Sequence, residues 1–172
     1  MRRLLAHAAI GAAFVVVIGA CADNGVVGLG GGTTTTSVAQ TSETEYDLAL
    51  KRWQTNAPAH YEIVYRQTCE CPVDLQRPTR VTVRRSDGLE TIEDVADAGE
   101  PPVALSDDRR QVAKTVDGLF SVISQALDLN PQDPRITYDG KLGYPVSINI
   151  DPSGGVSGDE SVYKVTSFQT LP

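Results

Sequence analysis

Arg80-Val81-Thr82-Val83-Arg84 alternates polar and apolar residues, Asp87-Gly88 follows, and Leu89 to Val95 comes next. Side chains on a strand alternate between its two faces, so Val81 and Val83 point one way while Arg80, Thr82 and Arg84 point the other. Asp and Gly both tolerate positive φ, which a tight hairpin turn requires, so Leu89 to Val95 is expected to return as the partner strand. Strands that follow one another without an intervening helix pair antiparallel.

Earlier in the chain, Tyr61-Glu62-Ile63-Val64-Tyr65-Arg66 is a strand of the same kind, with Tyr61, Ile63 and Tyr65 on one face. A helix precedes it. Ser42-Glu43-Thr44-Glu45 has capping-box spacing, and Tyr46, Ala49, Leu50 and Trp53 then recur on one helical face until Asn56-Ala57-Pro58 ends the element. A second helix is expected after Ser106-Asp107-Asp108. Val112, Val116, Leu119, Phe120, Ile123 and Leu127 keep helical spacing up to a stop at Asn130-Pro131. Strands follow at Ile136 and Tyr138, at Val146 to Ile150 and at Val162 to Phe168, with a turn at Asp151 to Gly155. The reading is α+β: a mostly antiparallel sheet of five to six strands, order α-β-β-β-α-β-β-β, with two amphipathic helices on one face.

The N-terminal region carries a different message. Arg2 and Arg3 open an apolar run that ends in Ile18-Gly19-Ala20-Cys21, the layout of a secretory signal followed by a lipoprotein cleavage and acylation site. The run is shorter than the roughly 18 apolar residues of a spanning helix. Residues 1–20 are read as signal peptide and Cys21 as the lipidated first residue of the mature chain. Residues 21–44, rich in glycine and threonine, are read as a flexible linker with a reach of about 25 Å. Residues 45–172 form one domain. The chain would sit at the bacterial cell envelope, held by lipid on the extracytoplasmic side, with membrane contact through that lipid alone.

The whole chain has 15 basic and 22 acidic residues, a formal net charge of −7. Losing residues 1–20 removes Arg2 and Arg3 and no acid, so the mature domain is more acidic still. Phosphate backbones and anionic headgroups repel such a surface, which argues against a nucleic-acid partner.

Once Cys21 is spent on lipid, Cys69 and Cys71 remain in Thr68-Cys69-Glu70-Cys71-Pro72. Three readings stand: a structural disulfide, which leads because the compartment is oxidising; a pair of thiolates for a soft metal; and a redox pair, although Cys-x-x-Cys spacing is absent. His60, the one histidine after Cys21, stands beside no serine in a Gly-x-Ser-x-Gly turn, and no carboxylate pair is placed by a motif. No catalytic residue, resident metal or cofactor is therefore expected. Asp151 to Glu160 lacks the ligand alternation of an EF-hand loop and reads as a turn.

Tyr138-Asp139-Gly140-Lys141-Leu142-Gly143-Tyr144-Pro145 places two aromatics among turn formers. Tyr138, Asp139, Leu142 and Tyr144 make it a candidate binding loop, with the alternative that Tyr144 folds onto the core while Gly143 and Pro145 set a bend.

Trp53, Tyr61, Cys69-x-Cys71-Pro72, Ile136-Thr137-Tyr138-Asp139, Leu142-Gly143-Tyr144-Pro145, Ile150-Asp151 and Asp159-Glu160 together resemble an uncharacterised family of small bacterial lipoproteins and secreted proteins. The resemblance covers about residues 46–170. It implies the domain limits and the pairing of the two cysteines as a unit, and it brings no activity with it. The expected function is a non-enzymatic module that binds an envelope protein or ligand, with a thiol or soft-metal protein as the alternative. Its contact surface would be the rim carrying Cys69-Cys71 and the Asp139–Tyr144 loop, provided both lie at the same end of the sheet.

Overall fold

The computed structural model describes residues 37–129, 132–151 and 160–172. Helix α1 spans Ser37–Asn56, β1 His60–Thr68, a 3-10 turn Val73–Gln76, β2 Thr79–Ser86 and β3 Leu89–Asp97. Helices α2 (Asp107–Val112) and α3 (Val116–Asp128) follow, then β4 (Gln132–Tyr138), β5 (Pro145–Asp151) and β6 (Ser161–Thr170). The six strands form one sheet in the order β3-β2-β1-β6-β5-β4, antiparallel at every pairing. Two meanders, β1-β2-β3 and β4-β5-β6, are joined at the centre where the last strand pairs with the first.

The alternation read in the sequence is the alternation of burial. Tyr61, Ile63, Tyr65, Val81, Val83, Ile148, Ile150, Tyr163 and Val165 are buried, and they meet Ala49 and Trp53 of α1 and Val116, Leu119, Phe120 and Ile123 of α3. In β6 the spacing slips by one. Ile63 faces Phe168 and Tyr65 faces Val165, so a bulge absorbs the extra residue and keeps both apolar side chains on the core face. The core holds a column of rings. Tyr144 stacks on Phe168 at 4.5 Å, Phe168 stacks on Tyr61 at 5.4 Å, and Trp53 meets Tyr61 and Phe168 edge-on.

Two expectations about helices are corrected. Helix α1 begins at Ser37, so Ser42 is an interior residue and the stretch 42–45 does not open the element. Ser37 to Thr44 contains neither glycine nor proline to stop the helix from extending backward. The helix expected to run unbroken from Ser106 is two helices, which makes three in the described residues rather than two. Ala113 (ψ 139°) and Thr115 (ψ 179°) are extended, and the backbone N–H groups of Lys114 and Val116 donate to the hydroxyls of Tyr65 and Tyr61, at 2.9 and 3.1 Å. Those two donors would bond helical carbonyls in a continuous helix. The buried hydroxyls take them instead.

The restart of α3 leaves no donor of its first turn unpaired. Val116 N–H goes to Tyr61, Asp117 N–H to Glu90 Oε2 at 2.9 Å, Gly118 N–H to Thr115 Oγ1 at 3.0 Å and Leu119 N–H to the Thr115 carbonyl. A helix N-terminus normally leaves such donors to solvent. Here a strand, a side-chain cap and a core tyrosine satisfy them, which locks α3 to the sheet.

Candidate functional site

Cys69 and Cys71 follow the last residue of β1 and are disulfide-bonded, with Cα atoms 5.2 Å apart. Pro72 leads into the 3-10 turn, and Gln76 Nε2 donates to the Cys71 carbonyl at 2.9 Å, folding the turn back over the bridge. Beside it lies an open cleft of about 340 Å³ whose lining includes Arg66, Val73, Gln76, Arg77 and Gly99. Val73 is 78% exposed at its edge.

A buried ionic cluster underlies this end. Asp97, at the end of β3, accepts from Arg77 Nε and Nη2 at 3.0 and 2.8 Å and from Arg109 Nη1 at 2.7 Å. The same carboxylate accepts the N–H groups of Gly99 and Val103, which ties down the loop between β3 and α2. Arg109 also donates to the Pro78 carbonyl and Thr79 Oγ1. Ser106 caps α2 and donates to Asp74 in the 3-10 turn. Hydrogen bonding from Arg77, with help from Arg109 and the Val103 N–H against the cost of burial, holds the Asp97 carboxyl well below the usual carboxylate range.

A second polar group sits beneath α3. Tyr61 donates to Glu90 Oε1 at 2.6 Å, and Trp53 Nε1 donates to Asp117 Oδ1 at 2.8 Å. Burial is the largest influence on both Tyr61 and Glu90. It pushes the Glu90 carboxyl up, against bonds from Thr115, Tyr61 and Asp117 N–H, and it pushes the Tyr61 phenol up, with the Glu90 charge adding to the effect. The Tyr61 hydroxyl is engaged by Glu90 and the Val116 N–H, and both Glu90 oxygens accept from protein donors. The arrangement is that of a structural network, holding two strands, β1 and β3, and two helices, α1 and α3, together.

The sequence-expected residues fall in separate places. Cys21 lies outside the described residues, as does most of the Asp151–Glu160 turn. His60 opens β1 while the cysteines follow its end, roughly 30 Å away for nine strand residues. It stands between Pro172 and Glu93, at 2.9 and 3.0 Å. Among the described residues, no cluster of three His, Cys, Asp or Glu side chains is arranged to hold a metal.

The Tyr138–Tyr144 loop packs inward. Asp139 Oδ1 accepts the N–H groups of Lys141 and Leu142, Asp139 N–H donates to the Tyr144 carbonyl, and Gly143 N–H donates to the Asp139 carbonyl. Tyr138 stacks near Phe120 at 6.1 Å, Tyr144 lies on Phe168, and Leu142 packs against the core. Gly143 has φ +89° and passes so close to the Ala49 carbonyl and Trp53 N–H of α1 that no side chain fits. The condition for a shared rim fails. Strand β5 runs in the same direction as β1, since both are antiparallel to β6, and the loop precedes β5 whereas the cysteines follow β1. The two loops lie at opposite ends of the sheet.

Asp97, Arg77, Arg109 and Glu90 carry most of the interior electrostatics, and no sequence motif marks them. Their one local signal is Asp97 itself, an acid closing a strand ahead of Gly99 and two prolines. Residues 45–170 match the model of a family described as a family of unknown function (DUF6174). No curated protein and no solved structure matches the chain.

Proposed function

The chain belongs to this family of unknown function, and from that premise we propose that it is a lipid-anchored extracytoplasmic domain that binds another envelope component and catalyses no reaction. The anchor rests on Ile18-Gly19-Ala20-Cys21 behind a basic and apolar leader. The Cys69–Cys71 bridge supports an oxidising compartment, where disulfides persist. Among the described residues, no helix is long and apolar enough to cross a membrane.

The observation that carries the binding reading is the disulfide end of the sheet. There Val73 stands exposed at the edge of an open cleft, on a loop frame made rigid by Asp97, Arg77 and Arg109. A rigid frame displaying an apolar residue suits recognition, because little ordering is left to occur on binding. The Tyr138–Tyr144 loop is assigned a packing role, since its aromatic rings are spent on Phe120 and Phe168.

Three measurements test this reading. Cell fractionation should find the wild type in the membrane and a Cys21→Ser variant released or unprocessed; full membrane retention of the variant would overturn the anchor. A photo-cross-linking residue at position 73 should capture a reproducible partner in intact cells, and its absence would count against a contact surface there. Thiol titration should find Cys69 and Cys71 unreactive until reductant is added. A free, metal-retaining pair would favour the thiol reading instead.

A further inference from the structure

A separate cleft of about 320 Å³ opens on the helical side, between α1, α3 and the β2–β3 hairpin. Its volume lies at the small end of ligand sites, which fits a small molecule rather than a polymer. Tyr46, Leu50 and Phe120 give it an apolar wall, with the Tyr46 and Phe120 rings edge-to-face at 5.8 Å. Arg85, Asp117 and Ser121 supply the polar groups.

Arg85 is the unusual member. Its cross-strand neighbour is Glu90, which is already bound to Tyr61 and the Asp117 N–H. The Asp117 carboxylate, in the same cleft, accepts from Trp53 through one oxygen. Among the described residues, no ion pair joins Arg85 to either acid, and its Nε is buried without a hydrogen-bond partner. The guanidinium lies 5.8 Å over the Trp53 ring, a contact that uses none of its hydrogen-bond donors. A guanidinium offers a donor fork matched to a carboxylate, and a carboxylate with a free oxygen accepts from an ammonium group.

We infer that this cleft binds a free α-amino acid with an apolar side chain. Arg85 takes the carboxylate, Asp117 the ammonium group, and Tyr46, Leu50 and Phe120 the side chain. An unpaired cation and a partly engaged anion in one small cleft match a zwitterion, and neither a simple anion nor a simple cation satisfies both. The cleft is a different part of the molecule from the contact surface proposed above, and its occupancy needs no anchor.

Calorimetric titration of L-phenylalanine into the full-length chain in detergent micelles tests it. Saturable one-site binding is expected. N-acetyl-L-phenylalanine, which lacks the ammonium charge, and L-phenylalaninamide, which lacks the carboxylate, should each bind at least tenfold more weakly. Arg85→Met should weaken phenylalanine binding at least tenfold. Ser121→Trp, which fills the cleft and keeps both charged residues in the chain, should do the same and serves if Arg85→Met fails to fold. No saturable binding to the wild type, capped analogues that bind like phenylalanine, or a folded variant that binds like the wild type would each overturn the assignment.

Discussion

Arg109 and Asp97 meet at 2.7 Å with each side chain only 1% exposed, joining the short helix α2 to the end of β3. Arg77 bonds the same carboxylate from the segment between the 3-10 turn and β2. One acid thus organises four stretches of chain: the segment before β2, the end of β3, the loop after it, and α2. Asp97→Ala would leave the buried Arg109 with only the partly exposed Asp74 carboxylate, 3.6 Å away, as counter-charge. Breaking a buried pair in this way typically costs about 3–5 kcal/mol. Urea denaturation should show that loss, while Arg109→Met should cost less, because Arg77 and two backbone N–H groups still satisfy Asp97.

Asp97 and Glu90 shift stability with pH in opposite senses. The Asp97 carboxyl is held low in the folded chain. Its contribution is present above the unfolded value of about 3.9 and is lost as pH falls through the lower folded value. Glu90 is held high, so the folded state takes up its proton first and gains stability as pH falls through the raised value toward about 4.3. Urea midpoints measured from pH 8 down to pH 3 should therefore rise on mild acidification and then fall. Glu90→Gln should abolish the rise and leave the fall in place. A rise of equal size in that variant would remove Glu90 as its source.

Tyr61→Phe and Tyr65→Phe each delete one hydroxyl from the core. Tyr65→Phe orphans the Lys114 N–H, and Tyr61→Phe orphans the Val116 N–H and removes one donor from Glu90. An unsatisfied buried polar group costs about 1–3 kcal/mol. Both variants should melt below the wild type, with Tyr61→Phe the lower. Faster hydrogen exchange at Val116 in Tyr61→Phe would locate the loss at the start of α3, and unchanged exchange there would place it elsewhere.

Gly143 and Gly140 occupy the same loop and should respond differently to one added methyl group. Gly143 has φ +89° and a Cβ would run into the Ala49 carbonyl of α1, whereas nothing lies within 4 Å of a Cβ at Gly140. Gly143→Ala should cost on the order of 1–3 kcal/mol from the backbone conformation alone. Gly140→Ala should stay within about 0.5 kcal/mol, as surface changes usually do. Thermal melts of the two variants provide the comparison.

Local periodicity made much of the fold legible. The two-residue alternation of Tyr61, Ile63 and Tyr65 and of Val81 and Val83 appears as buried side chains on one sheet face. The Asp87-Gly88 turn is in place, with both residues at positive φ. Helical spacing failed at one point, across Val112 and Val116. The periodicity continues there but the helix does not, because hydroxyls some fifty residues away, on Tyr61 and Tyr65, capture the backbone donors.

Residue order alone settled the class of the domain, its antiparallel hairpins, and the inward faces of β1 and β2, since these follow from neighbours a few positions apart. Val112, on the expected apolar helix face, is instead exposed. Folding in three dimensions settled the rest. It paired β6 with β1, set the two candidate loops at opposite ends, buried Arg109 against Asp97, and left Arg85 unpaired beside Asp117. Each of these joins residues far apart in the chain. Ion pairing and cleft formation depend on distances through space, which no local pattern of residue types encodes.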